Sequence, residues 1–276
     1  MHSIHIYTTS NEHIPNAIAP LSAERAIETA AALIDIARIE SKIPPSVPAT
    51  KICFDEWNVW DPVRAPGEQG AEQLYTLSDA LAVAVWLNVF IRQSKWVGMA
   101  NIAQTVNVIS PLMTTKDGIV KQATWWPLLL FSKYMRGWTL GVHVRAGAYD
   151  GATQPSWLQG VLAQGASWLD VSASVNEDGV ISLVVVNINE TQDYEVDLVG
   201  TGKEVAVYMV SGPTIKSVNA AGSEEVGVKE TTWDGQGKYK FSRHSMTLLR
   251  WQTGQKVKEI LKGDGTRLDT RKLAWS

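Results

Sequence analysis

The chain has 276 residues, 45% of them hydrophobic and 19% charged, with a formal net charge of −3. That length and apolar content support a sizeable core in one or two domains and exclude wholesale disorder, while the slightly acidic balance excludes the basic field a nucleic-acid partner needs. A single cysteine, Cys53, excludes an intrachain disulfide framework and reads as a buried, inert thiol. No Cys-x-x-Cys or His-x-x-x-His pair marks a metal site.

The start, Met1-His2-Ser3-Ile4-His5-Ile6-Tyr7, has no basic region followed by an apolar core and does not read as a secretory signal. Ser3 to Tyr7 is a short β-favouring run. After a loop with Pro15 and Pro20, Ser22 offers a helix N-cap, and Ala23 to Ile39 carries Ile27, Ala31 and Ile34 at helical spacing. A Pro-rich connection (Pro44, Pro45, Pro48) leads to the strand Lys51 to Phe54, which ends in Asp55-Glu56-Trp57-Asn58-Val59-Trp60. Strand, helix, loop, strand is a βαβ unit, with parallel pairing. Alternation along a strand points Asp55 and Glu56 to opposite faces, so one carboxylate is expected to look into a site and the other into structure or solvent.

Asp61 to Gly70 reads as a loop at the Glu56 end of the sheet, Ala71 to Gln93 as a long, mostly buried helix, and Val97 to Val108 as a strand. The run Leu81 to Ile91, interrupted by Asn88, is shorter than the about 20 residues that cross a bilayer, so no membrane partner is expected. Asn101, Gln104 and Asn107 need polar partners, which places at least one toward a polar cavity. Ala123 to Arg136 forms a further helix, stopped by Gly137. From Trp138 the period becomes that of short strands, Thr139–Arg145, Ala166–Val175, Val180–Asn187, Tyr194–Val199, Glu204–Val210 and Ser245–Trp251. Turn chemistry at Asn176-Glu177-Asp178-Gly179 and Asp234-Gly235-Gln236-Gly237 separates them, which predicts an antiparallel β-sandwich. The tail from Gln252 is charged.

The segment Asp-Glu-Trp-Asn-Val-Trp after an apolar strand resembles the nucleophile segment of glycoside hydrolase family 51, the α-L-arabinofuranosidases. The resemblance reaches to about Trp251. It implies an α/β unit followed by an all-β one: residues 1–137 as the last part of a (β/α)8 TIM barrel, about strands six to eight, residues 138–252 as the sandwich, and 253–276 as a polar tail. It implies that Glu56 is the catalytic nucleophile of a retaining hydrolase releasing terminal α-L-arabinofuranosyl residues. Asp55 then supports the strand end, facing away. His5-Ile6-Tyr7 looks like the family's His-x-Tyr, and Asn101 to Met113 like its strand eight. His5, Tyr7, Trp60 and Gln104 would therefore line the sugar site. Arabinan, arabinoxylan or arabino-oligosaccharides are the implied substrates, with no cofactor.

The sequence departs from the family in one respect that bears on chemistry. The family's acid/base glutamate lies in a Gly-Asn-Glu segment, and no Gly-Asn-Glu occurs here. A whole barrel takes about 250 residues. The chain is therefore expected to be a truncated piece, catalytically incomplete by itself. Two other readings compete: a non-catalytic carbohydrate-binding module using Trp157, Trp168 and Trp233, and an association partner whose open sheet edges pair with another chain or a second copy.

Overall fold

The computed structural model describes residues 1–60, 71–162, 164–255, 257 and 272–273. The chain opens with β1 (His2–Thr8), α1 (His13–Ile18), α2 (Leu21–Glu40), β2 (Ile52–Val59), α3 (Leu77–Arg92) and β3 (Val97–Ile102). The three strands form one parallel sheet in the order β1-β2-β3, with α2 and α3 as the crossovers that parallel pairing requires. Ile52, Phe54, Trp57 and Val59 turn one face of β2 into the helix layer and are buried. Phe54, Trp57, Trp86 and Phe90 pack there with ring centroids 5.1 to 5.6 Å apart. Each such pair contributes about 0.5–1.5 kcal/mol beyond area burial.

Several boundaries differ from the sequence expectation. Pro20, not Ser22, caps α2, and the Ser22 hydroxyl donates back to the Ala19 carbonyl. The helix expected from Ala71 starts at Leu77, because Thr76 and Asp79 form a capping box. The strand expected to run to Val108 stops at Ile102. The loop expected over 61–70 lies outside the described residues.

Next come the hairpin β4 (Leu112–Thr115) and β5 (Gly118–Lys121), α4 (Trp125–Tyr134), β6 (Gly137–Leu140), β7 (Ala148–Tyr149) and α5 (Trp157–Val161). The remaining elements are β8 (Ala166–Ser167), β9 (Leu169–Val175), β10 (Val180–Asn187), β11 (Tyr194–Asp197), β12 (Val205–Ser211), β13 (Asn219–Ala220) and β14 (Ser223–Glu224), then β15 (Gly227–Trp233), β16 (Lys238–Phe241), β17 (Ser245–Gln252) and β18 (Lys272–Leu273). A seven-stranded sheet of order β15-β12-β17-β10-β9-β6-β18 carries this half. The β11–β16 pair contributes Tyr194, Val196, Tyr239 and Phe241 to the core on one face of that sheet, with Leu183, Val185, Leu249 and Trp251 beneath. The two layers are a β-sandwich. The expected turn at 176–179 is present, with Gly179 at φ 79, a backbone conformation that glycine adopts without strain.

The other face of the seven-stranded sheet packs on α3. Every residue from Leu77 to Ile91 is buried, and α3 shares one core with Phe54 and Trp57 on one side and Val184, Val186, Met246 and Leu248 on the other. No described helix is long and apolar enough to cross a membrane.

His13 pins this junction. Its Nδ1 lies 2.9 Å from Ser78 Oγ and its Nε2 3.0 Å from the Ile188 carbonyl. Burial pulls its pKa below the usual 6.5, against the raising influence of the Ile188 carbonyl, Glu190 and Asp79, while His244 adds to the lowering. The unfolded chain therefore binds a proton at higher pH than the folded one. The stability His13 contributes is present above the unfolded pKa and is lost as pH falls from about 6.5 toward the folded value. Urea unfolding between pH 7 and pH 5 should show the midpoint dropping in the native sequence and dropping less in His13→Gln, which cannot take up that proton.

Candidate active site

β2 does not alternate regularly. Ser3 pairs with Cys53 but His5 with Glu56, and Phe54 pairs with Ala100 but Trp57 with Ile102, so β2 holds one more residue than either neighbour across Asp55-Glu56. This is a β-bulge, and its effect is to re-aim a side chain. The expectation that the two carboxylates face apart is thereby corrected, since both reach the same imidazole. His5 Nε2 lies 2.9 Å from Asp55 Oδ1, and His5 Nδ1 lies 3.9 Å from Glu56 Oε2.

Around this imidazole the polar groups are ordered. The Tyr7 hydroxyl donates to Glu56 Oε2 at 2.9 Å, and the Ser3 hydroxyl donates to Asp55 at 2.8 Å. Burial and the Glu56 carboxylate push the Tyr7 pKa up to about 12, so the phenol stays a donor throughout the physiological range. The Ser3 hydrogen bond holds the Asp55 carboxyl below its usual range, with His5 adding to the effect. Trp60 sets its ring edge-on to Tyr7 at 5.5 Å, and its buried indole N–H has no hydrogen-bond partner among the described residues.

A second device fixes the carboxyl end of the sheet. The buried Asn58 amide donates to the carbonyls of Ala103 and Ile109, and its oxygen accepts from the Val59 N–H, which ties the loop after β3 to the end of β2. Gln104 sits on that loop with an exposed side chain, beyond the strand rather than within it. Of the predicted site residues, the fold joins His5, Tyr7, Glu56 and Trp60 through direct contacts and puts Gln104 on the tethered loop. Sequence reasoning missed Ser3 and Asn58, and gave Asp55 the wrong face. The Asn that follows the acidic pair and a tryptophan was the available signal for the clamp.

Cys53, expected to be buried, is half-buried on the open side of β2, where desolvation raises its thiol pKa. Among the described residues no group of three or more His, Cys, Asp or Glu could hold a metal ion. A cavity of about 520 Å³ between the β4–β5 hairpin and the β13–β14 pair includes none of the predicted site residues. The three tryptophans considered as a sugar platform are dispersed. Trp168 packs toward the α3 core, Trp233 toward the sandwich core, and Trp157 is exposed on α5.

Comparison with known proteins bears on the identity of this arrangement. Residues 55–245 match the family model of the alpha-L-arabinofuranosidase C-terminal domain. The chain is 62% identical over 252 residues to a probable alpha-L-arabinofuranosidase C of Aspergillus clavatus, covering 91% of this chain and 50% of that protein. It is 60% identical over the same length to alpha-L-arabinofuranosidase C of Emericella nidulans. The fold superposes on the alpha-L-arabinofuranosidase of Thermotoga maritima, solved as an arabinose complex, with a TM-score of 0.74 at 24% identity, over 90% of this chain and 52% of that one. The chain thus spans about half the length of the curated relatives it matches. With more than half its residues under the family model and the nucleophile-like segment on a bulged strand, the chain belongs to the alpha-L-arabinofuranosidases of glycoside hydrolase family 51, as a carboxyl-terminal part.

Proposed function

We propose that Glu56 is the nucleophile of a retaining α-L-arabinofuranosidase acting on arabinan, arabinoxylan or arabino-oligosaccharides, in L-arabinose metabolism. The observation that carries this reading is the 2.9 Å hydrogen bond from Tyr7 to Glu56, which leaves the other carboxylate oxygen of a half-exposed side chain available for attack. Residues 1–137 are read as the last part of a (β/α)8 barrel, 138–252 as its companion sandwich and 253–276 as a tail. Glu56 attacks the anomeric carbon while an acid protonates the departing glycosidic oxygen. Water, deprotonated by that same group, then displaces Glu56 and releases arabinose with its configuration retained. His5 and Tyr7 orient Glu56, Trp60 borders the furanose, and Gln104 hydrogen-bonds it.

Such chemistry needs a second carboxyl about 5 Å from the first. Asp55 does not fit that role, because Ser3 and His5 stabilise its ionised form, which leaves it without a proton to give the leaving oxygen. The acid is assigned to the amino-terminal half found in longer relatives. The test is p-nitrophenyl α-L-arabinofuranoside hydrolysis by the 276-residue chain alone and by the same chain fused behind the unmatched half of the Aspergillus clavatus protein. No release from the chain alone and release of retained-configuration arabinose from the fusion are expected. A folded but inactive fusion would sink the reading.

A further inference from the structure

The loop at 103–111, which carries Gln104, is strained and held from several sides. Asn107 and Ile109 sit at φ 64 and φ 36, in the left-handed region, where a β-branched residue such as Ile109 is a genuine outlier. Conformations of that kind persist only where the surroundings over-determine them, and they cluster where a ligand is clamped. From the β2 side Asn58 donates to the Ala103 and Ile109 carbonyls, and the Ile109 N–H donates to the Ala71 carbonyl at 2.8 Å.

The outgoing limb of the loop is held by Gln122, a buried residue between β5 and α4. Its Nε2 donates to the Ser110 carbonyl at 2.8 Å and to the Gln73 carbonyl at 3.0 Å. Its Oε1 accepts from the Tyr75 N–H at 2.8 Å, and its own N–H donates to the Pro111 carbonyl at 2.9 Å. Tyr75 in turn donates its hydroxyl to the carbonyl of Val59, the last residue of the strand that carries Glu56, at 2.6 Å. These partners of the Gln122 side chain are main-chain groups, so what the amide fixes is the path of the backbone.

Gln122 is itself anchored from the sandwich. The buried Asn219 of β13 donates to the Lys121 carbonyl at 3.0 Å and to the Val226 carbonyl at 2.8 Å, and accepts from the Val226 N–H at 2.8 Å. The same stretch of the sandwich gives its Ser217 and Ile215 carbonyls to the Leu77 and Ser78 N–H groups, in the first turn of α3, where such donors lack partners inside the helix.

We propose that Gln122 is a positioning residue for the sugar site, setting the path of the loop that presents Gln104, and that Asn219 extends this control to the sandwich. The sandwich thereby governs how tightly the furanose is held without touching it. This rests on the reading above in which Gln104 hydrogen-bonds the furanose. A purely structural role for the same bonds would show in overall stability alone.

Two measurements separate these roles. Gln122→Met keeps the side-chain volume but drops its hydrogen bonds, and Asn219→Ala releases Lys121 and Val226. In amide hydrogen exchange of the 276-residue chain, each variant should speed Asn107 and Ile109 at least about tenfold through local opening. Faster exchange confined to the slowest core amides, the mark of lowered global stability, would overturn the proposal. In the fusion described above, Gln122→Met should raise KM for p-nitrophenyl α-L-arabinofuranoside at least about fivefold, the scale of one lost hydrogen bond, with kcat changed less than about twofold. Gln122→Met combined with Gln104→Ala should show a KM no higher than Gln104→Ala alone, because the first acts through the second. A native KM in Gln122→Met, or an effect that adds in full to that of Gln104→Ala, would equally overturn the positioning role. A native KM in Gln104→Ala would instead sink the sugar contact on which that role stands. Exchange is read without substrate, so an inactive fusion sinks the nucleophile assignment and leaves the loop measurement to decide for Gln122 and Asn219.

Discussion

Glu56→Gln in the fusion with the amino-terminal half should lower kcat on p-nitrophenyl α-L-arabinofuranoside by at least about 10⁴-fold, the scale on which removing a covalent nucleophile acts. Glutamine keeps the shape of the side chain and an oxygen that accepts from the Tyr7 hydroxyl, so the site geometry is retained. What disappears is the charge that bonds to the anomeric carbon. The Glu56 side chain is 48% exposed and bears no packing role, so the urea midpoint should move by less than about 0.5 kcal/mol equivalent. A variant that keeps a tenth or more of native turnover would show that Glu56 does not form the glycosyl bond.

The second large effect concerns stability. Arg92, at the end of α3, donates to Glu24 of α2 at 2.8 Å and pairs with Asp170 of β9 at 3.0 Å. Asn88 also donates to Asp170, at 2.7 Å. Burial pushes the Asp170 carboxyl above its usual range, and Arg92 is the main influence pulling it back. Arg92→Met keeps most of the volume but leaves two largely buried carboxylates without their cation, a change that costs about 3–5 kcal/mol. The sign with pH follows from the same shift. With Arg92 gone, the folded pKa of Asp170 rises further above its unfolded value, so across that window the folded state holds more protons and stability falls as pH rises. The deficit of Arg92→Met in urea unfolding should therefore be larger at pH 7 than at pH 5. Glu24→Gln and Asp170→Asn added to Arg92→Met should recover much of it by removing the stranded charges. A deficit under about 1 kcal/mol in the single variant would mean the triad is solvated rather than buried.

Much of the architecture was legible because periodicity reports burial. The βαβ unit, the helix around Leu81 to Ile91 and the strands at Val180–Asn187 and Ser245–Gln252 all follow from apolar spacing. β15 escaped because Gly227–Trp233 is an edge strand with four consecutive exposed residues, so neither face gives an apolar stripe. The β4–β5 hairpin escaped for the same reason, with Ile119 66% exposed. Within the site, the resemblance of Asp-Glu-Trp-Asn-Val-Trp and His-Ile-Tyr to family segments singled out Glu56, His5, Tyr7 and Trp60, whereas the strand rule misdirected Asp55. A bulge is one inserted residue and has no composition of its own. It becomes visible only when the registers of β1 and β3 are counted against β2. Contacts such as His13 with Ser78, 65 positions apart, are likewise invisible to local spacing.

The burial of α3 on all sides also constrains how the molecule comes apart. A helix without a wet flank cannot outlive the loss of either layer that shields it, so the parallel strands and the sandwich melt as one cooperative body despite their different architectures. Cutting the polypeptide where the strand pattern changes would strip the sandwich side of that helix, where Asn88 and Arg92 meet β9, and the piece left behind would expose apolar surface that is buried in the intact chain.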